Sequence, residues 1–123
     1  MTCAGITGMT LCRAMLRRTD RRLIVKLDRA TNDAFAWLYE NYDVRNNANH
    51  GNHFYYYALY SLERAAELAN VAQIHGYDWY FDGATELLHL QTKNGSWSLN
   101  NNVTDTCFAL LFLKKTVAPA ITR

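Results

Sequence analysis

Apolar residues recur at three- and four-residue steps through most of this chain, and they never alternate over a useful length. That period predicts five helices. The first covers about Thr2 to Arg17, the second about Leu23 to Asn41 and the third about His53 to Asn70. The fourth covers about Asp78 to Leu90 and the fifth about Asp105 to Val117. On the second, Leu27, Ala30, Ala34, Trp37 and Leu38 share one side. The stretch "YDVRNNANHGN" between the second and third is dense in turn formers and reads as a polar surface loop. The single proline, Pro119, sits near the C-terminus and interrupts none of these segments.

The helices fall into two classes that repeat. Ala34, Trp37, Leu38 and Asn41 return about fifty residues on as Ala84, Leu87, Leu88 and Gln91. In the other class, "TCAGITGM" at the first helix aligns with "TCFALLFL" at the fifth, and "YYYALYSL" fits the same frame between them. The period is near 52 residues on this alignment. The first, third and fifth helices are apolar or aromatic almost all round, as buried inner helices should be. The second and fourth carry charge on one face, as an outer layer should. An all-α array of helical hairpins in two layers is therefore expected, with residues 1–123 as one domain.

Composition changes this picture little. Three cysteines, Cys3, Cys12 and Cys107, with no close pairing, fit neither a disulfide framework nor a four-cysteine zinc module. With no membrane-length apolar run and no basic segment before the first helix, a cytoplasmic protein is expected. Charge matters more. The whole chain carries a net charge of +2, yet residues 13–29 hold Arg13, Arg17, Arg18, Arg21, Arg22, Lys26 and Arg29 against Asp20 and Asp28. Such a run reads either as a solvated outer turn or as a peripheral contact with an anionic membrane surface. No aromatic residue interleaves with the arginines, so a single-strand stacking platform is not indicated, and no nucleic-acid partner is expected.

The stretch "GATELLHLQTKNGSW" carries the most specific signal. Gly83, Leu87, Leu88, Gln91, Gly95 and Trp97 resemble the glutamine–tryptophan repeat of squalene and hopene cyclases. Less specifically, "SLERAAELAN" and "DTCFALLFLKK" resemble the last hairpins of bacterial terpene-cyclase-like proteins, and "HGNHFYYYALYSLERA" is similar to a segment that precedes them there. The resemblance implies an α/α toroid, a fold shared with protein prenyltransferase β subunits. This chain would hold about two and a half of its hairpins, apparently a C-terminal fragment whose exposed inner faces allow self-association. In such a motif a Gln amide can join the end of one helix to the start of the next. Gly95 would then make the turn and Trp97 would pack over the Gln. That role is structural, not chemical.

The resemblance also implies where chemistry would sit. Squalene-type cyclases protonate their substrate with Asp-x-Asp-Asp, which this chain lacks; Asp78 and Asp82 do not form it. Tyr55, Tyr56, Tyr57, Phe108 and Phe112 would line the cavity that receives an apolar isoprenoid ligand, or else fill the core. In prenyltransferase β subunits an Asp-x-Cys at the start of an inner helix supplies two zinc ligands. Asp105 and Cys107 match it, with His53 in a similar frame, so a zinc site is one reading. In the other, Asp105 caps the fifth helix and Cys107 is a small buried residue like Cys3. The function implied is a terpenoid-cyclase-like fragment, not catalytic alone. The alternatives are a protein-interaction or structural module, or a zinc-dependent prenyltransferase-like fragment.

Overall fold

Five helices carry the chain in the computed structural model, which describes residues 1–48 and 50–115. They are α1 (Thr2–Met15), α2 (Arg21–Asn41), α3 (Tyr55–Leu68), α4 (Trp79–Leu90) and α5 (Asn102–Lys114). No strand occurs among the described residues, so the protein is all-α there. Val117, the expected end of the fifth helix, lies outside the described residues.

Local chemistry sets most of the ends. Asp78 caps α4, its carboxylate accepting from the N–H groups of Tyr80 (3.1 Å) and Phe81 (2.9 Å). Asn101 caps α5 through Thr104 N–H at 3.1 Å, so this helix starts three residues before Asp105. The end of α3 is a Schellman turn. Asn70 takes the left-handed conformation (φ 57°), and the N–H groups of Asn70 and Val71 return to the carbonyls of Glu67 and Ala66. A tight turn follows, with Ile74 and Tyr77 exchanging two backbone hydrogen bonds at 2.9 Å around His75 and Gly76, both at positive φ.

Helix α3 packs against both α1 and α5; α2 packs on α1, and α4 on α5. The core follows that order. Tyr55, Tyr56, Leu59, Leu62, Ala65 and Ala66 of α3 are buried, and they meet Ile6 of α1, Leu38 of α2, Trp79 and Leu87 of α4, and Ala109 and Phe112 of α5. Ala65 and Ala66 have no exposed surface.

The expectation that all three apolar helices are buried holds only for α3. On α1 only Ile6 is fully buried, and α5 leaves Val103, Leu110 and Leu111 exposed. The reason is position: α3 has an apolar helix for a neighbour on two faces, whereas α1 and α5 each have one. Glu63 is completely buried within α3, an unusual place for a carboxylate. It accepts from Nε and Nη2 of Arg64, at 2.6 and 2.5 Å.

Candidate functional site

The glutamine–tryptophan stretch forms a joint between α4 and α5, though not through the residue expected. Gln91 is exposed and turns its amide onto its own loop, donating to the Gly95 carbonyl at 2.9 Å. It does not reach α5. The joining is done by Trp97, whose buried indole donates to the Leu87 carbonyl in the last turn of α4 at 2.8 Å. On its other side the Trp97 backbone is gripped by Thr106 of α5, whose hydroxyl accepts from its N–H (3.0 Å) and donates to its carbonyl (3.1 Å). A helix-end carbonyl inside the core needs a donor that is itself buried, and an indole brings its donor with its apolar bulk. Gly95 supplies the turn at φ 85°. Leu87 is buried and Leu88 is exposed. At Gly83, a Cβ would overlap the Phe112 ring, so this glycine lets α5 lie close to α4.

Asp105 is buried, and its Oδ2 accepts from the N–H groups of Leu99, Asn100 and Asn101 at 2.7, 2.8 and 3.1 Å. It organises the loop before α5; the cap of the helix is Asn101. Cys107 faces outward as an exposed free thiol, in contrast to the half-buried Cys3. His53 is exposed in the turn before α3, where its carbonyl accepts from Asn47 Nδ2 at 2.8 Å. Among the described residues no three His, Cys, Asp or Glu side chains form a group that could hold a metal ion. Asp105, Cys107 and His53 are therefore not brought together as ligands.

The five aromatic residues separate too. Phe112 stacks on Tyr80 (5.5 Å between centroids) and meets Trp79 edge-on (6.1 Å) in the α4–α5 core. Phe108 contacts Tyr57 and Tyr60, each at 5.4 Å, across the α3–α5 seam. Tyr56 packs edge-on against Tyr55 at 5.3 Å. Only Tyr55 and Tyr57 reach a cavity.

That cavity, about 270 Å³, lies between the start of α1, the end of α2, the loop after it and α3. Its apolar wall comes from Trp37, Leu38, Leu59 and Leu62, and its polar rim from Asn41, Asp43, Asn46 and Asn47. The rim is a built loop. Asp43 accepts from Arg45 N–H at 2.9 Å and from Asn46 Nδ2 at 2.7 Å, and Asn47 N–H bonds to the Gly51 carbonyl at 2.9 Å. Tyr55 fastens the loop from below, its hydroxyl donating to the Val44 carbonyl at 2.6 Å. Tyr42 leans toward α4, stacked on Tyr77 at 6.1 Å.

The titratable groups of the wall are held in definite states. Burial, with the nearby carboxylates of Asp82 and Glu86 adding to it, pushes the phenols of Tyr42 and Tyr55 above the ordinary tyrosine value. Burial likewise pushes the Cys3 thiol up to about 11, so it is protonated and unreactive at neutral pH. Hydrogen bonds from Asn46 and then from Arg45 N–H hold the Asp43 carboxyl below the usual range. Asp43 is the one carboxyl group in this wall among the described residues.

This cavity was missed in the sequence, where its turn-rich loop reads as plain surface. The signal was the crowding of Asp43, Asn46 and Asn47, whose short side chains bond their own backbone and so build fixed loops. No protein-family model matches the chain, and no curated protein or solved structure matches it either.

Proposed function

We propose that this chain is a terpene-cyclase-like helical segment, part of an α/α toroid, that holds a short apolar chain of isoprenoid type without catalysing its cyclisation. The cavity between α1, α2 and α3 is the observation that supports this reading. At about 270 Å³ it is a little under twice the roughly 150 Å³ that accommodates one benzene ring. It thus suits a ligand of about a dozen carbon atoms and is far too small for a whole triterpene. Its polar rim would meet a terminal hydroxyl while Trp37 and the leucines enclose the chain.

The chemistry of the wall argues against catalysis. Protonating an alkene needs a strong, protonated acid facing the substrate, and Asp43 is held as a carboxylate. A cyclisation cavity must also exclude water around the developing cation, and this one has a rim of solvent-exposed side chains. The purified chain incubated with squalene is expected to yield no cyclic product by mass spectrometry.

Titration with geraniol, a ten-carbon isoprenoid alcohol, tests the binding. Trp37 emission should shift as the cavity fills, and Trp37→Phe should abolish the change. Ala58→Phe, which places a ring in the cavity wall, should weaken binding about tenfold or more, the loss of well over 1 kcal/mol of contact. Saturable binding of squalene in place of geraniol, or no binding of either, would overturn the reading.

A second reading, an interaction module, is favoured by the uncovered faces of α1 and α5. Ala4, Gly8, Leu11, Cys12 and Met15 are exposed along one stripe of α1, and Val103, Cys107, Leu110 and Leu111 along one stripe of α5.

A further inference from the structure

We propose that the α1–α2 turn and the first half of α2 form a docking surface for an anionic lipid bilayer. The basic residues of 13–29 are not absorbed by the fold. Arg13 pairs with Asp28 at 2.9 Å, and among the described residues none of the other six has an ion pair. That single pair also removes Asp28 from the acidic side, leaving Asp20 alone against Arg17, Arg18, Arg21, Arg22, Lys26 and Arg29. All six are exposed.

Their placement is directional. Ile24, Leu27, Ala34, Phe35 and Leu38 follow the helical repeat along the covered side of α2. Arg22, Lys26 and Arg29 fall on the opposite side, spaced by three or four residues, and Arg18 lies in the turn just before the helix. Farther along that side come Asp33 and Glu40, so the positive charge is confined to the first half of the helix. The first turn of α2 contains Arg21 and Arg22 and no acidic residue. A helix N-terminus disfavours cations, so this charge costs the isolated fold stability. An anionic surface would offset that cost.

Apolar side chains interleave with the arginines. Met15 is 86% exposed, Val25 66% and Leu23 47%, each within four residues of two or more basic side chains. Arginine and lysine stems lie flat on an interface while their heads reach phosphates, and side chains such as Met15 and Val25 enter the acyl boundary. A single-stranded nucleic-acid surface would instead call for exposed aromatic rings among the cations, and residues 13–29 contain none. The source of negative charge that fits both features is a bilayer. No described helix is long and apolar enough to cross one, so the contact is peripheral.

Vesicle co-sedimentation of the full chain tests this, comparing phosphatidylcholine alone with phosphatidylcholine containing about one-third phosphatidylserine. The chain should pellet with the anionic vesicles and stay in solution with the neutral ones. Arg18→Gln, Arg22→Gln and Lys26→Gln together should lower the partition about a hundredfold, at roughly fivefold per cation near the surface. Met15→Ser with Val25→Ser should lower it about tenfold or more, at roughly the gain from burying two apolar side chains. Circular dichroism confirms that each variant keeps its helices, and the comparison of the two vesicles needs no variant at all. Equal binding to both vesicles overturns the proposal. So does indifference of folded variants to either set of substitutions, or tighter binding to single-stranded RNA than to anionic vesicles at the same salt.

Discussion

Gly83 shows how one missing atom decides the fit of two helices. A glycine inside a helix costs roughly 1 kcal/mol relative to alanine, so its presence in the middle of α4 needs a reason. Phe112 is that reason. Its ring is fully buried, fixed between Trp79 and Tyr80, and occupies the space a Cβ at position 83 would take. Overpacking of this kind costs about 1–3 kcal/mol, which exceeds the helix-propensity gain of the added methyl. Gly83→Ala should therefore lower stability by about 1 kcal/mol net in urea unfolding. In a Phe112→Leu background the same substitution should become neutral or stabilising, because the clash is gone and the propensity remains. Destabilisation of equal size in both backgrounds would show that Phe112 is not the cause. The sequence marks Gly83 as part of a motif, but its partner, 29 positions away, appears only when α4 and α5 are packed.

Among the connecting elements, two joints each depend on one buried aromatic donor. Between α4 and α5 the indole of Trp97 satisfies the Leu87 carbonyl. Trp97→Phe retains most of the bulk and removes the donor, leaving a buried carbonyl without its partner at a cost of about 1–3 kcal/mol. Gln91→Ala should cost about 0.5 kcal/mol or less, because that amide bonds an exposed turn. The reverse ranking in thermal unfolding would restore to Gln91 the clasp role that its position suggests. Between α2 and α3 the Tyr55 hydroxyl performs the equivalent task on Val44.

The folded-state pKa of Tyr55 is raised above its unfolded value near 10, chiefly by burial and next by Glu86, so the folded state keeps the proton longer. The resulting stability is complete below pH 10 and is lost as pH rises from there through the folded-state pKa. Tyr42 contributes in the same direction. Tyr55→Phe should lower stability at pH 7, through the lost hydrogen bond, and flatten its alkaline decline; an unchanged decline would remove Tyr55 from the account. Helix existence and order were legible at this scale from the 3.6-residue period. The start of α5 was not, because "NNNVTD" offers several capping residues in a row. Asn101 takes the cap and Asp105 the loop amides, a choice fixed by the path of the preceding chain.

At the scale of the whole molecule, the repeat places α3 between two helices of its own class, and that much of the arrangement is readable from sequence alone. The site was less legible. A cavity depends on how far the ends of α1, α2 and α3 stand apart, and no periodicity carries that distance. Of the aromatic residues that looked like a lining, Tyr55 and Tyr57 reach the cavity, whereas Phe108 and Phe112 fill two seams, because rings of that size bury themselves wherever helices meet. What the repeat does predict is the fate of the outer faces. Helices α1 and α5 occupy the same place in the repeat as α3, yet each leaves uncovered an apolar stripe of the kind α3 buries on both sides. We expect a second copy to supply the missing neighbour, with the α5 stripe of one chain on the α1 stripe of the other. Contacts of that kind close into a symmetric pair when the rotation permits and otherwise extend without limit. Sedimentation velocity over a concentration series should show a discrete dimer, with a melting temperature that rises with protein concentration. Leu110→Lys with Leu111→Lys puts two charges in the stripe without touching the core, and should return the chain to a monomer whose helices are intact. A wild-type chain that stays monomeric at every concentration, or a variant that still dimerises, would mean these faces meet something other than a copy of the same protein.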